Sequence, residues 1–379
     1  MWGWRGAGAA LLESGPALPA HSSTSPAALH VRPVQLSEGG LLGGGGDGAA
    51  TAPAALASNA APAAFLLGYR GGPLTGHCVA QLRHGGDVWG LAVLEGGYLV
   101  SGGNNSNLRI WNSATGGNVA TLDGMGVKIA ALPGLRFVTA GASGNNKKAE
   151  VWSAASRTRI CEYTGHFGNV TCVAFLPDNL VASGSDDKTV HIWNADTGTP
   201  VATLQGHSKR VEALAVLSDG RLAGGCCDFT VRLWDISNPA SAPRVLQHDS
   251  GVLALKVLDG GILASGCGSK VYLWDVSSAS DQPIARLEGH TSYVRSLAAL
   301  PQGLLASGSA DKTVRVWNVA ARACVAVLGS HVQGHTAAVY ALAALPDGRL
   351  ASGCEGDDGV IRVWELRPQL QQTKGCVLH

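Results

Sequence analysis

The sequence predicts an all-β protein: a seven-bladed β-propeller of four-stranded antiparallel blades, with a disordered N-terminal extension. Three observations lead there. Trp111, Trp152, Trp193, Trp234, Trp274, Trp317 and Trp364 follow one another at spacings of 41, 41, 41, 40, 43 and 47 residues, and a near-constant period of about 40 marks a repeated supersecondary unit. Each unit breaks into short runs rich in β-branched residues, separated by turn residues, and no run is long enough for a helix. The residue texture also changes at residue 77, from an Ala, Gly and Pro background to this periodic pattern.

The first element is the extension. Residues 1–73 contain 17 Ala, 14 Gly and 7 Pro, including the run Gly43–Gly46. Few large side chains are present to offset the entropy of ordering such a segment, so disorder is expected. Plastid or mitochondrial transit peptides are poor in acids and rich in Arg. This segment sets Glu13, Glu38 and Asp47 against Arg5, Arg32 and Arg70, which weighs against that alternative. The apolar stretch Gly6–Leu12 is short and Glu13 interrupts it, so no secretory signal is read. No apolar run approaches the ~20 residues of a membrane span. Nine Cys with no C-x-x-C pair predict reduced, packed thiols in the cytosol or nucleus. The net charge of +1 offers no global field for nucleic acid, and no nucleic-acid partner is expected.

The repeats follow, over 77–367. Between Gly165 and Ala202 lie four runs, "VTCVAFL", "NLVASGS", "TVHIWN" and "PVATL", parted by "PD", "DDK" and "DTG". Four antiparallel strands per unit describe one blade, and a blade must pack face to face with its neighbours around a ring. The stretch His77–Leu82 ("HCVAQL") matches Ala323–Leu328 ("ACVAVL"), an outer fourth strand. It precedes the first unit, whose own fourth strand lies near Asn118–Leu122. Residues 77–82 are therefore expected to complete the seventh blade and close the ring. The chain after Trp364, including a short tail at 368–379, is then free for other uses.

Gly-His opens units at Gly165-His166, Gly206-His207, Gly289-His290 and Gly334-His335, and Trp closes every unit, followed by Asp or Asn in most. On these features the units resemble WD40 repeats, over about three quarters of the chain. The resemblance implies a buried hydrogen-bond set of His, Ser, Asp and Trp in each blade. Two units carry it in full: His166, Ser183, Asp187 and Trp193, and His290, Ser307, Asp311 and Trp317. A Ser-His-Asp trio also invites a hydrolase reading. A nucleophile needs an exposed hydroxyl and an oxyanion hole, and several copies of one triad around a ring favour a structural lock instead. The other units depart. Gly224 stands at the Ser position beside His207 and Asp228, and the fifth unit opens on Gln247-His248 and has lost the turn Asp. The first has His84 and Ser101 but Asn105 for Asp, and the second has Met125 for His and no Asp. The last keeps His335 and Ser352, with Asp357 and Asp358 competing for the acidic position. The second and fifth blades are expected to be the least locked.

No Walker loop, dinucleotide fingerprint, HExxH or G-x-S-x-G occurs, so no catalytic residue, cofactor or metal site is assigned. Propellers of the resembled family act as rigid platforms, which implies other proteins or peptides as partners of a monomeric propeller within a complex. Contacts are implied where the first strand of each blade begins. Two positions flank a hydrophobic residue there. The residues before it include Asp87, Arg210 and Tyr293; those after it include Trp89, Lys128, Glu212, Arg295 and Tyr340. Trp89, Tyr340, Tyr293 and Arg295 belong to the first, seventh and sixth units, contiguous once the ring closes, and are residue types enriched at interface hot spots. They form a candidate partner-binding patch; the alternative is that they pack into the loops and the channel mouth. Two further readings rest on the C-terminal end. Trp364-Glu365-Leu366-Arg367 approaches the W-D-x-R of propellers that serve as substrate receptors of a ubiquitin ligase complex, with Glu for Asp. Cys376-Val377-Leu378-His379 has the C-a-a-X form for prenylation at Cys376, although His is not a usual last residue; without it no membrane contact is expected.

Overall fold

In the computed structural model the described residues are 69, 71–105, 107–141, 147–329, 334–356 and 359–369. All fall in one compact unit, Leu56–His379. The expectations for residues 1–68, for Asp357 and Asp358, and for Cys376 lie outside the described residues.

Among the described residues the strands form seven four-stranded antiparallel sheets. Blade 3 shows the plan: Val170–Leu176, Leu180–Ser185, Val190–Asn194 and Pro200–Leu204 pair in sequence from the channel outward. The polar turn residues between the runs end each strand, and β-branched side chains fill the pleated faces. Blade 7 is completed from the other end of the sequence. The strand Leu74–Arg83 pairs with Val360–Pro368, in register from Leu74↔Pro368 to Arg83↔Val360. It is longer than the expected 77–82 because its partner strand runs on to Pro368. The chain after Trp364 is correspondingly less free than the sequence suggested: Glu365 is 6% exposed and Leu366 1%, and Leu366 packs in one core with Leu74.

Among the described residues the apolar core is divided into seven clusters, each shared by two adjacent blades. The tryptophan of one blade lies on the preceding blade: Trp152 sits with Leu108 and Ile110 of blade 1, and Trp317 with Val271 and Leu273 of blade 5. The cluster uniting Trp111 and Leu99 with Ile361 and Val363 closes the circle. A buried aromatic side chain removes on the order of 200 Å² from water, which is how a 40-residue unit with little core of its own becomes stable only within the ring.

A small residue makes that stacking possible. The glycine in "ASGS" and its variants faces the first valine of the next blade. An ideal Cβ built on Gly184 would stand 2.8 Å from Val211 Cγ1, on Gly225 2.7 Å from Val252 Cγ1, and on Gly308 2.7 Å from Val339 Cγ1. These distances are too short for any side chain, so Gly at this position sets the approach of one blade to the next.

Candidate functional site

Two kinds of polar residue meet near the rim where the inner strands begin: repeated ones and unrepeated ones. The repeated set is fully formed in blades 3 and 6. In blade 3 the Trp193 indole Nε1–H donates to Ser183 Oγ (3.1 Å), Ser183 Oγ meets His166 Nε2 (2.9 Å), and His166 Nδ1 meets Asp187 Oδ2 (2.8 Å). In blade 6 the corresponding distances are 2.8, 2.8 and 2.7 Å. A neutral imidazole fits this as one directed chain, with Nδ1–H donating to the carboxylate and Nε2 accepting from Ser. Asp187 also accepts from the backbone N–H of Phe167 (2.9 Å) and Thr189 (3.0 Å) and from the Thr189 hydroxyl (2.6 Å). Burial pushes this carboxyl up, but the hydrogen bonds from His166 and Thr189 outweigh it and hold the group well below the usual carboxylate range. The residue after each aspartate pays no attention to chemistry: Lys188 and Lys312 both adopt φ of 73°, a left-handed turn fixed by the carboxylate beside it. Ser183 and Ser307 are 0% exposed, so neither hydroxyl is open to a substrate.

The departures resolve individually. In blade 1, Asn105 Oδ1 takes the carboxylate's place on His84 Nε2 (3.3 Å), while Ser101 joins His84 (2.9 Å) and Trp111 (2.8 Å). In blade 4 the Trp234 ring fills the room a Ser would need: an ideal Cβ on Gly224 would stand 2.5 Å from the ring. Its Nε1–H donates instead to the Gln205 carbonyl (3.3 Å), and His207 keeps Asp228 (2.9 Å). Blade 5 is better tied than the sequence suggested. His248, Ser265 and Trp274 still connect, at 2.8 and 3.0 Å; only the aspartate is gone, because Cys267 pairs directly with Lys270 across a shorter turn. In blade 7, Arg362 Nη1 donates to His335 Nδ1 (3.1 Å), and His335 Nε2 meets Ser352 Oγ (2.6 Å). Blade 2 is the loosest. Thr139 replaces Ser, and Trp152 Nε1 reaches it at 3.3 Å.

Blade 3 adds an aromatic stack. The Tyr163 hydroxyl meets His191 Nδ1 (2.8 Å), and the His191 ring lies 3.9 Å from that of His166. Among the described residues two groups thus bring metal-ligand residue types together, His166 with Asp187 and His191, and His207 with Cys226 and Asp228. The histidine and aspartate atoms of each are engaged in the hydrogen bonds just given, so the locks account for both groups.

The unrepeated residues gather at the channel. Trp89, Lys128, Thr171, Glu212, Leu253, Arg295 and Tyr340, one from each blade, line a single cavity at its mouth. Trp89 and Tyr340 stand 5.9 Å apart between ring centroids. The Arg295 guanidinium lies 5.0 Å from the Tyr340 ring and 5.8 Å from that of Tyr293. The four residues of the candidate patch are therefore one contiguous cluster. Tyr293 is 49% exposed, whereas Trp89, Arg295 and Tyr340 are half-buried. Arg210 pairs with Glu212 at 2.5 Å on the far side of the mouth. Asp87 is partly structural, its carboxylate accepting from the Gly356 N–H at 2.8 Å. At the C-terminal end, Glu365 clamps Arg367 with two bonds of 2.8 and 3.0 Å. Sequence reasoning missed Lys256. It lines the channel below Lys128 and Arg295, and its signal was a lone lysine in a column of alanines.

Comparison with known proteins agrees with this architecture. The family model described as "WD domain, G-beta repeat" (WD40) matches residues 76–112, 157–194, 198–235, 281–318 and 323–365, about half of the chain. The unmatched stretches hold blades 2 and 5, the units whose motifs depart most. Short segments match curated relatives. The DENN domain and WD repeat-containing protein SCD1 of Arabidopsis thaliana is 39% identical over 59 residues, 16% of this chain and 5% of that protein. Ribosome biogenesis protein YTM1 of Candida albicans is 50% identical over 48 residues, 12% and 10%. Pre-mRNA-processing factor 19 of Bos taurus is 43% identical over 54 residues, 14% and 11%. The chain thus spans about a tenth or less of each relative's length.

Proposed function

We propose, from the premise that the chain belongs to the WD40 repeat family, that it is a protein-interaction scaffold or adaptor binding partner proteins or peptides at the rim of its channel. The observation that carries this is the Trp89–Tyr340–Arg295–Tyr293 cluster. None of these residues is required by the repeat: the position of Trp89, Arg295 and Tyr340 holds Lys128, Thr171, Glu212 and Leu253 in other blades, and that of Tyr293 holds Asp87 and Arg210. Rigid aromatic rings and a guanidinium held between two of them offer a large, pre-organised contact area at low entropic cost. The Arg210–Glu212 pair would supply polar contacts across the mouth. The fully buried serines support a structural role for the repeated Ser-His-Asp sets over a catalytic one. The ubiquitin-ligase receptor reading gains nothing from Arg367, whose guanidinium is already forked by Glu365. The test is quantitative co-purification with the wild-type chain and with Trp89→Ala/Tyr293→Ala, checked for an unchanged melting temperature. Loss of a defined partner set from the variant is expected; an unchanged set sinks the rim reading.

A further inference from the structure

The cations of the rim continue down the channel. Each inner strand ends on or just before a leucine, and the residue two places before that leucine is small in six blades: Ala92, Ala130, Ala174, Ala215, Ala298 and Ala343. In blade 5 that residue is Lys256. The lower channel is otherwise apolar, with walls such as Leu91, Ile129, Leu297 and Leu342. The Lys256 side chain is open to the channel yet ringed by protein, and that enclosure depresses its pKa with no carboxylate to offset it. Higher in the same cavity stand Lys128 and Arg295, with Glu212 as the one carboxylate. Glu212 is itself paired with Arg210 at 2.5 Å. Burial also lowers Lys128, against a partial opposing pull from Glu212. The donors are in surplus as well: Trp89 Nε1 and Arg295 Nε are buried without a hydrogen-bond partner among the described residues.

Within the shaft Lys256, Lys128 and Arg295 face one carboxylate, Glu212; Asp186 and Glu355 stand with Arg210 at the mouth above, so the positive potential concentrates toward the floor between low-dielectric walls. Unmet donors and uncompensated charge call for the same thing, a ligand rich in acceptor oxygens and carrying more than one negative charge. We propose that the axial channel is a binding site for a phosphate group, with Lys256 at its floor and Lys128, Arg295 and the Trp89 indole N–H around its upper wall. A single carboxylate would leave part of the excess charge unmatched. The site does not depend on the rim recognising a protein.

The full-length chain is titrated calorimetrically with tripolyphosphate at low ionic strength, beside Lys256→Ala and Lys256→Arg. The alanine variant installs the residue found in the other six blades, so the fold is preserved. Saturable one-to-one binding is expected for the wild type, about tenfold or more weaker for Lys256→Ala and largely retained by Lys256→Arg. A parallel titration with a peptide bearing one phosphoserine, against its serine counterpart, identifies the source. Lys256-dependent binding of the phosphopeptide assigns the phosphate to a partner's side chain, and binding of free tripolyphosphate alone assigns it to a small molecule. No saturable binding by the wild type, or equal binding by Lys256→Ala, overturns the site.

Discussion

Asp311 receives four hydrogen bonds at once, from His290 (2.7 Å), from the N–H groups of Thr291 (3.0 Å) and Thr313 (2.9 Å), and from the Thr313 hydroxyl (2.7 Å). Asp311→Ala removes the acceptor and leaves the donors behind, so the unfolding free energy should fall by about 2–4 kcal/mol in urea denaturation. Asn105→Ala should cost less, because Asn105 gives blade 1 only longer contacts of 3.3 and 3.4 Å. The buried histidines set a pH dependence. Burial lowers His84 and His248 from 6.5 to about 4, and burial with the nearby His166 does the same to His191. They stay neutral in the folded chain while their unfolded counterparts take up protons below pH 6.5. Stability is therefore lost progressively between pH 6.5 and about 4. The aspartates held low, Asp187 and Asp311, withdraw their contribution only at more acid pH. A melting temperature that stays flat from pH 7 to pH 4.5 would contradict this. At this scale the complete His, Ser, Asp and Trp sets were legible because their spacing repeats. Thr139 and Arg362 were not, since each enters a lock through strand pairing that spacing alone does not display, and Tyr163 was not, since it reaches the blade 3 lock from the outer strand of blade 2.

The blade is the unit that the glycine of "ASGS" serves. Sequence patterning placed the strands and their turns, because alternation and turn residues are local signals. It gave no reason for that glycine, because its constraint comes from a valine about 30 residues ahead on the next blade. Gly308→Ala should wedge blades 6 and 7 apart, lowering the unfolding free energy by about 1–3 kcal/mol; an unchanged value would show that the interface can relax. Lock quality also differs between blades. Among the described residues the blade 2 tryptophan has one lock bond, of 3.3 Å, whereas the full set of blade 3 is backed by the Tyr163–His191 contact and a Tyr163–Trp193 stack at 5.1 Å, from the outer strand of blade 2. Native-state hydrogen exchange should be faster in the strand amides of blade 2 than in those of blade 3, and equal protection would argue that the ring opens only as a whole.

For the whole molecule, the Trp period revealed the number of blades and the likeness of two outer-strand sequences revealed the closure. The extent of the closing pair was hidden, because Leu74, Glu365 and Leu366 belong to no repeated motif and become buried only when the strands Leu74–Arg83 and Val360–Pro368 pair. The same division separates stability from recognition. On the proposed reading, residues that recur around the ring hold it, and residues that occur once, at the channel, are the ones offered for binding. The most direct measurement crosses the two classes, recording melting temperature and quantitative partner retention for Asp311→Ala and for Trp89→Ala/Tyr293→Ala in the same full-length chain. The lock variant should melt several degrees lower yet retain its partners below its melting point, and the rim variant should melt as the wild type does and lose them. A rim variant that keeps every partner would contradict the account.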